Sequence, residues 1–441
     1  MTSSYREIFM KRNTLKNIVL SLVVIGLAAG PAVPSYAAVS VSKAKSDYSK
    51  ALKTETSAKA DYDKANTVFK TGSFGFYQWI IDNCDGWKRA DAQEALQVLT
   101  TSSHKNYTEK GNKDDATSLD NMRAAVDLLP TLASKRAGDK NYPDLQPPTI
   151  RNVYMARAQI QANVSSYTMG HEVKDDGCKI GSACENLAWG YRDPFVGWYD
   201  EELKNYNNVR NYTLKKYGKD INTDEWECYL RGDDFDYHAY LKETDKYGEI
   251  GHYTNVCMSG VLVHDFTYEP TRIYSVRADK VFFGMAYSGY SRCHSLEADN
   301  NAFNEDYSDG YSVSEYRSLF NQYYNKVYPK AQIESYNKAK KNASSALKTL
   351  KNAAKPRKPA ARRTGKKIKV SWKKVKGVSG YQISVSPSKG KVKIAASAGA
   401  KATKKTVKIR KARKQYVRIR SYVKVNGKKI YSSWSPARRS N

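Results

Sequence analysis

The chain is 441 residues long and 40% apolar, with 34 Tyr and 7 Trp. That is enough to build a large core, and it excludes wholesale disorder. No apolar run reaches the ~20 residues of a spanning helix, which excludes a polytopic membrane protein. The formal charge of +30 is localised rather than general. Residues 355–441 hold 29 Lys and Arg and no Asp or Glu, so the rest of the chain is close to neutral. A statement about basicity is therefore a statement about the last fifth of the protein.

The first residues predict a secretory leader. Lys11, Arg12 and Lys16 form a positive start and residues 18–29 an apolar stretch. Ser35-Tyr36-Ala37 then sets small residues around a cut after Ala37. Residues 1–37 are read as a signal peptide, starting at Met1 or Met10, with no transmembrane span expected after cleavage. An exported chain places Cys84, Cys178, Cys184, Cys228, Cys257 and Cys293 in an oxidising setting. Six cysteines allow many pairings, and only the local pair Cys178–Cys184 is expected from spacing. There is no Cys-x-x-Cys, so neither a zinc knuckle nor a thioredoxin-like site is indicated.

Residues 40–70 carry a narrow apolar seam at helical spacing: Val41, Ala44, Tyr48, Ala51, Ala58, Tyr62, Ala65 and Phe69, with Glu55 at one polar stripe position. Residues 330–354 repeat the pattern through Ile333, Tyr336, Ala343, Leu347, Leu350 and Ala354, with Lys340 interrupting. Seams this thin do not stabilise isolated helices. The two helices are expected to pair antiparallel as a coiled-coil stalk, with Glu55 and Lys340 able to meet if the register allows. Independent solvent helices or a homodimeric coil remain as alternatives.

Residues 71–325 read as the main globular block. Leu119, Met122, Val126, Leu129 and Leu132 recur at helical spacing, with Pro130 marking a kink or stop. Residues 150–164 predict a helix with Val153, Ala156, Ile160 and Val164 on one face. Asp193-Pro194 is a helix start. Short strands follow at 261–263 and 281–285. Helices first and strands later give an α+β layered domain. Residues 355–365 read as a Pro- and Arg-rich linker. In 366–441, Ile368, Val370 and Trp372 alternate, as do Tyr381, Ile383 and Val385, and Asn426-Gly427 is a hairpin turn. These strands predict a small all-β sandwich.

The globular block holds four short motifs in order: a lone His171, then Glu185-Asn186-Leu187-Ala188-Trp189, then Trp198-Tyr199-Asp200-Glu201, then Gly251-His252-Tyr253-Thr254-Asn255. In this order they resemble the CAP superfamily, the cysteine-rich secretory, antigen 5 and pathogenesis-related proteins, also called SCP domains. The stretches 116–122 and 186–195 are similar to its bacterial branch. The resemblance covers residues 71–300. It implies a three-layer α-β-α sandwich, flanked here by the two long helices. It also implies a cleft lined by His171, Glu185, Glu201 and His252, with Glu202 as the alternative to Glu201. Cys184 stands where the family has Gly, and a disulfide to Cys178 would hold that loop.

Two histidines and two carboxylates suit a divalent cation such as zinc, with His171 and His252 as candidate metal ligands. A nearby carboxylate acting as base would give a metal-assisted hydrolase of wall or peptide substrate. The family has no common catalytic activity, so the preferred expectation is a cleft that binds metal, a small ligand or a peptide without turnover. A Cys184 nucleophile paired with His252 is the minor alternative. His104, His238, His264 and His294 match no motif and read as structural or surface residues.

The C-terminal strands resemble a fibronectin type III domain through Val370-Ser-Trp372, Gly380-Tyr381-Gln-Ile383, residues 416–422 and Ser432-Ser-Trp434-Ser. Such modules are spacers or adhesive domains. Its unopposed charge predicts salt-dependent attraction to a polyanion, with Arg362, Arg363, Lys366, Lys367, Lys404, Lys405, Arg418 and Arg420 as contacts. In an exported protein the polyanion is an anionic wall polymer or polysaccharide rather than nucleic acid. With no sortase-type tail and no lipid-modified cysteine in view, attachment is expected to be non-covalent.

Overall fold

The computed structural model describes residues 39–171, 184–222, 235–258, 260–265, 272–277, 280–300, 309–410 and 414–440. Residues 1–37, read as a leader, lie outside the described residues with Cys178 and Cys228, as do the side chains of 260–265 and 272–277, His264 among them. The protein is mixed α and β, with several sheets and an all-β region near its C-terminus. It divides into two compact units, Ala58–Tyr336 and a second made of Met1–Ser57 with Asn337–Asn441. Among the described residues no helix is long and apolar enough to cross a membrane.

In the unit Ala58–Tyr336 a five-stranded sheet runs β2-β6-β5-β1-β7. These strands are β1 (Thr149–Ile150), β2 (Cys184–Trp189), β5 (Val281–Ser288), β6 (Cys293–Asn300) and β7 (Tyr311–Ser312). Only β1–β5 is parallel. A separate hairpin joins β3 (Gly260–Asp265) to β4 (Arg272–Arg277). Strand β5 is an unbroken apolar run from Val281 to Ala286, buried on both faces. Helix α6 (Asn152–Thr168) lies against it. A Cβ at Gly284 would fall 2.0 Å from the Tyr154 carbonyl carbon, so only glycine admits this approach.

The sequence gives α6 a single apolar face, yet it is buried all round from Asn152 to Ser165. Its other sides are covered by α3 (Gly86–Thr101), which follows α2 (Gly72–Asn83). Asp91 of α3 caps it from outside, accepting from the Asn152 backbone N–H (2.8 Å) and the Arg151 Nε (3.0 Å). The break expected at Pro130 occurs: α4 (Leu119–Val126) stops and α5 (Leu129–Ala137) restarts with Pro130 in its first turn. Helix α10 (Val313–Val327) opens with a Ser312/Glu315 capping box, a device that contributes ~1 kcal/mol. One core runs from Phe76 through Met155, Trp198, Phe283 and Phe320.

The long helices are α1 (Val41–Phe69) and α11 (Lys330–Ala353). Within the first unit Tyr62 stacks on Tyr336, ring centres 5.9 Å apart. Within the second, Val41, Ala44 and Tyr48 share one core with Leu350 and Ala354, which is antiparallel pairing. The seam read from sequence supplies these residues. Ala339 is buried as well, and Glu55 and Lys340 form no ion pair with each other among the described residues.

The rest of that core is a β-sandwich. One sheet runs β11-β10-β13-β14, with β15 on β13; the other runs β12-β9-β8. The strands are β8 (Ala360–Thr364), β9 (Lys367–Ser371), β10 (Gly380–Ser386), β11 (Ile394–Gly399), β12 (Lys404–Lys408), β13 (Tyr416–Val425), β14 (Lys428–Tyr431) and β15 (Arg438–Arg439). Asn426 and Gly427 both take positive φ, 48° and 77°, as the right-twisted hairpin requires. The expected linker 355–365 is shorter than read. Residues 360–364 form β8 because Ala361 is buried and pairs with Val370. Serine hydroxyls replace part of the ladder: Ser432 Oγ accepts from Ser421 N (3.1 Å) and Ser435 Oγ from Ile419 N (3.0 Å).

Candidate functional site

Three elements bring the motif residues together: β2, helix α7 (Glu202–Tyr217) with the turn before it, and, after α8 (Tyr237–Thr244), the short helix α9 (Gly251–Val256). Residues Val196–Glu201 form a π-helical turn, pinned to β2 by the buried Trp198, whose Nε1 donates to the Leu187 carbonyl at 3.0 Å. A π turn holds one residue more than an α turn, which moves the next side chain around the axis. The consequence is a correction to the sequence reading. Glu201 is exposed, while Glu202 is buried and faces His252.

Glu202 Oε1 lies 2.5 Å from His252 Nδ1, and its Oε2 accepts from Tyr253 N at 3.0 Å. A second pair joins His171 Nδ1 to Glu185 Oε1, with Glu185 half-buried and His171 exposed. The amides of Asn186 and Asn255 knit the two supports together. Asn186 Nδ2 donates to the His252 carbonyl (3.0 Å), and Asn255 Nδ2 donates to Asn186 Oδ1 (2.7 Å). The four motifs thus form two imidazole–carboxylate pairs. Glu297 stands directly across the β2–β6 ladder from Glu185 and is buried.

Among the described residues one cluster of side chains could hold a metal ion, and it shares His252 with the set read from sequence. Glu202, Glu249 and His252 each offer one ligand atom, all within 4.8 Å of one another. His171 is not in that cluster. Glu249 was missed, although it stands three residues before His252, a Glu-x-x-His spacing that hairpins or short helices place on one side. Three protein ligands leave coordination positions open. Burial pulls the His252 imidazole down, but the Glu202 hydrogen bond and the charges of Glu202 and Glu249 outweigh it. It titrates above the ordinary histidine value.

Beside these pairs a buried polar framework fixes α9. Asp139 Oδ2 accepts from Tyr199 (2.6 Å) and Tyr253 (2.8 Å), one on the π turn and one beside His252. Arg136, almost fully buried, donates to the carbonyls of Val256 (2.7 Å), Met258 (3.0 Å) and Gln146 (2.8 Å). Burial without a carboxylate partner lowers its pKa to about 10.

The expected Cys178–Cys184 disulfide falls on Cys178, outside the described residues; Cys184 stands at the start of β2 and pairs with no other described cysteine. Burial, reinforced by Asp299 and Glu297, pushes that thiol up to about 12. A thiolate nucleophile at neutral pH is therefore not available there. His294, read as structural, is buried with its Nε2 3.1 Å from the Tyr191 carbonyl. Burial lowers it to about 4.

The eight cations chosen for polyanion contact do not form one surface. Arg362, Lys367 and Lys404 project from the outer face of the sheet β12-β9-β8, because their neighbours Ala361, Ile368 and Val407 point inward. Lys369 and Lys408, missed in the sequence, share that face; Lys367 and Lys408 are direct cross-strand partners. Arg363 and Lys405 belong to the inner-facing set of the same strands, and Lys366 lies in the β8–β9 turn. Arg418 and Arg420 are on the other sheet. Arg418 donates to the Lys389 carbonyl (2.7 Å). Arg420 is held between Tyr431 and Trp434, 4.2 and 4.6 Å from their ring centres, and donates to Gln382 Oε1.

No family model matches the chain, and no curated protein does. Among solved structures it is similar to a Fn3-like protein from Clostridium thermocellum, at 18% identity over 20% of this chain and 88% of that one, with a TM-score of 0.17. It is also similar to the Clostridium perfringens spore cortex lytic enzyme SleM, at 19% identity over 20% of this chain and 28% of that one, with a TM-score of 0.16. The likeness to the CAP superfamily rests on the ordered motifs of the sequence.

Proposed function

We propose that the protein is an exported, surface-associated binding protein of the CAP type. Its His/Glu cleft takes a divalent cation, and its basic sandwich holds it on an anionic wall polymer. The observation that carries the metal reading is the convergence of Glu202, Glu249 and His252 within 4.8 Å. The α-β-α arrangement of that family is supported by β5, an apolar strand buried on both faces. The coordination positions that three protein ligands leave open favour one second reading, a metal-assisted hydrolase in which the His171–Glu185 pair handles the proton.

The test is a calorimetric titration of the full chain with zinc and with manganese at pH 7.5. Stoichiometric binding is expected, abolished in His252→Ala and weakened about tenfold or more in Glu249→Gln. Because His252 titrates above the ordinary value, affinity should begin to fall at a higher pH than for a free imidazole. Unchanged binding in both variants would sink the metal site.

Surface retention reads out separately. Lys367 and Lys408 oppose each other across a ladder, a like-charge arrangement that a bound polyanion relieves. Replacing Lys367, Lys369 and Lys408 by Gln should reduce the slope of log affinity against log salt, on isolated cell walls, by about two. Replacing Lys424, Lys428 and Lys429 removes the same charge from the β13–β14 hairpin. If both triple variants behave alike, net charge and not this face is the anchor.

A further inference from the structure

A row of aromatic rings crosses the surface of the unit Ala58–Tyr336 where α6 ends. His104 stacks with Tyr107 (centres 6.3 Å apart), Tyr107 meets Tyr167 (5.7 Å), and Tyr167 meets Tyr290 (5.5 Å). They come from three distant segments of the chain. Tyr107 follows α3 in a short 3-10 turn, Tyr167 sits in the last turn of α6, and Tyr290 lies between β5 and β6. The row is not core. Tyr107 is 37% exposed and Tyr167 55%, and neither belongs to the buried cluster beneath.

Such rings stay out of water's way only by packing inward, and these do not. Their surroundings are polar. Tyr290 donates to Glu109 Oε2 (3.1 Å), which also accepts from Asn112 Nδ2, and Ser103 Oγ is 3.0 Å from His104 Nδ1. Apolar faces flanked by hydroxyls, an amide and a carboxylate match a ligand that is apolar on its ring faces and hydroxylated at its edges. The carboxylate disfavours a phosphate or another anion. The step from ring to ring, 5.5 to 6.3 Å, is close to that between successive pyranose rings in an extended β-1,4-linked chain.

We propose that this strip is a saccharide-binding platform for a β-1,4-linked glycan. The axial C–H faces of successive sugars stack on Tyr107 and Tyr167, whose ring faces carry the complementary negative quadrupole. Glu109 and its neighbours accept and donate at the sugar edges. The platform does not depend on a cation in the cleft.

The experiment is calorimetric titration of the full chain with chitotetraose, the β-1,4-linked tetramer of N-acetylglucosamine. Saturable binding is expected in the wild type and in His252→Ala. Tyr107→Ala with Tyr167→Ala should weaken it about tenfold or more, and Tyr167→Phe should stay within about threefold. Both side chains are exposed, so the thermal unfolding midpoint should be unchanged, and the zinc titration of the double variant should match wild type. Three results would overturn the proposal: no saturable binding by wild type, equal binding by the double alanine variant, or loss in Tyr167→Phe as large as in the alanine variant.

Discussion

Replacing Arg136 by Met should destabilise the unit Ala58–Tyr336 by about 4 kcal/mol and lower its Tm by on the order of 10 °C. The guanidinium donates to three carbonyls from two segments, Gln146 on one and Val256 and Met258 on the other, at 2.7 to 3.0 Å. Methionine fills a similar volume but leaves those acceptors without donors in a dry interior, at ~1–3 kcal/mol each. The loss is local to the site as well. Val256 ends α9, so releasing it frees the helix that aims His252 at Glu202. Chemical denaturation with near-UV circular dichroism measures the first effect, and zinc affinity the second. Arg136→Lys, with three donors in a less suitable geometry, should recover part of both. A change below 1 kcal/mol in Arg136→Met would show that water replaces the lost donors.

Acidification should cost the same unit up to about 3 kcal/mol through one histidine. His294 titrates near 4 when folded against 6.5 in the unfolded chain, because burial disfavours its charged form. A depressed histidine favours the folded state in its neutral form. That contribution is complete above pH 6.5 and drains away as pH falls from 6.5 toward 4, at 1.36 kcal/mol per unit. His252 has the opposite sign. Its raised pKa stabilises the fold below 6.5, fully and constantly, and fades only as pH rises through the folded value. Between pH 6.5 and 4 the two do not overlap. His294→Gln keeps a donor for the Tyr191 carbonyl and removes the titration, so its stability should fall less steeply in that window. Parallel curves for wild type and variant would exclude His294 as the acid-sensitive group.

What the sequence made legible was whatever depends on local spacing. The seam of α1, the Asn426-Gly427 hairpin and the stop at Pro130 follow from periodicity and backbone preference. The ordered motifs located both imidazole–carboxylate pairs. What failed depended on a local irregularity or on distant chain. The π turn at Val196–Glu201 leaves no mark in the apolar pattern, so the register of Glu201 and Glu202 was open until the turn was seen. Lys369 and Lys408 became partners of Arg362 and Lys367 only when strand register was known. Arg136 and Asp139 look like ordinary surface charges in the sequence. Their partners are more than a hundred residues away in the case of Val256 and Tyr253.

The core shared by Val41, Ala44 and Tyr48 with Ile368, Tyr381 and Val417 has a consequence for the order of assembly. The first helix of the described chain emerges during synthesis long before the strands that cover it. Until α11 and those strands arrive its apolar seam has nothing to bury against within its own unit. The contacts are of very high sequence separation, so this unit closes late and pays its loop-closure entropy in one step. Loss of the C-terminal strands by proteolysis would undo the docking of α1 together with the sandwich. The integrity of the two extremes of the described chain is one property, not two.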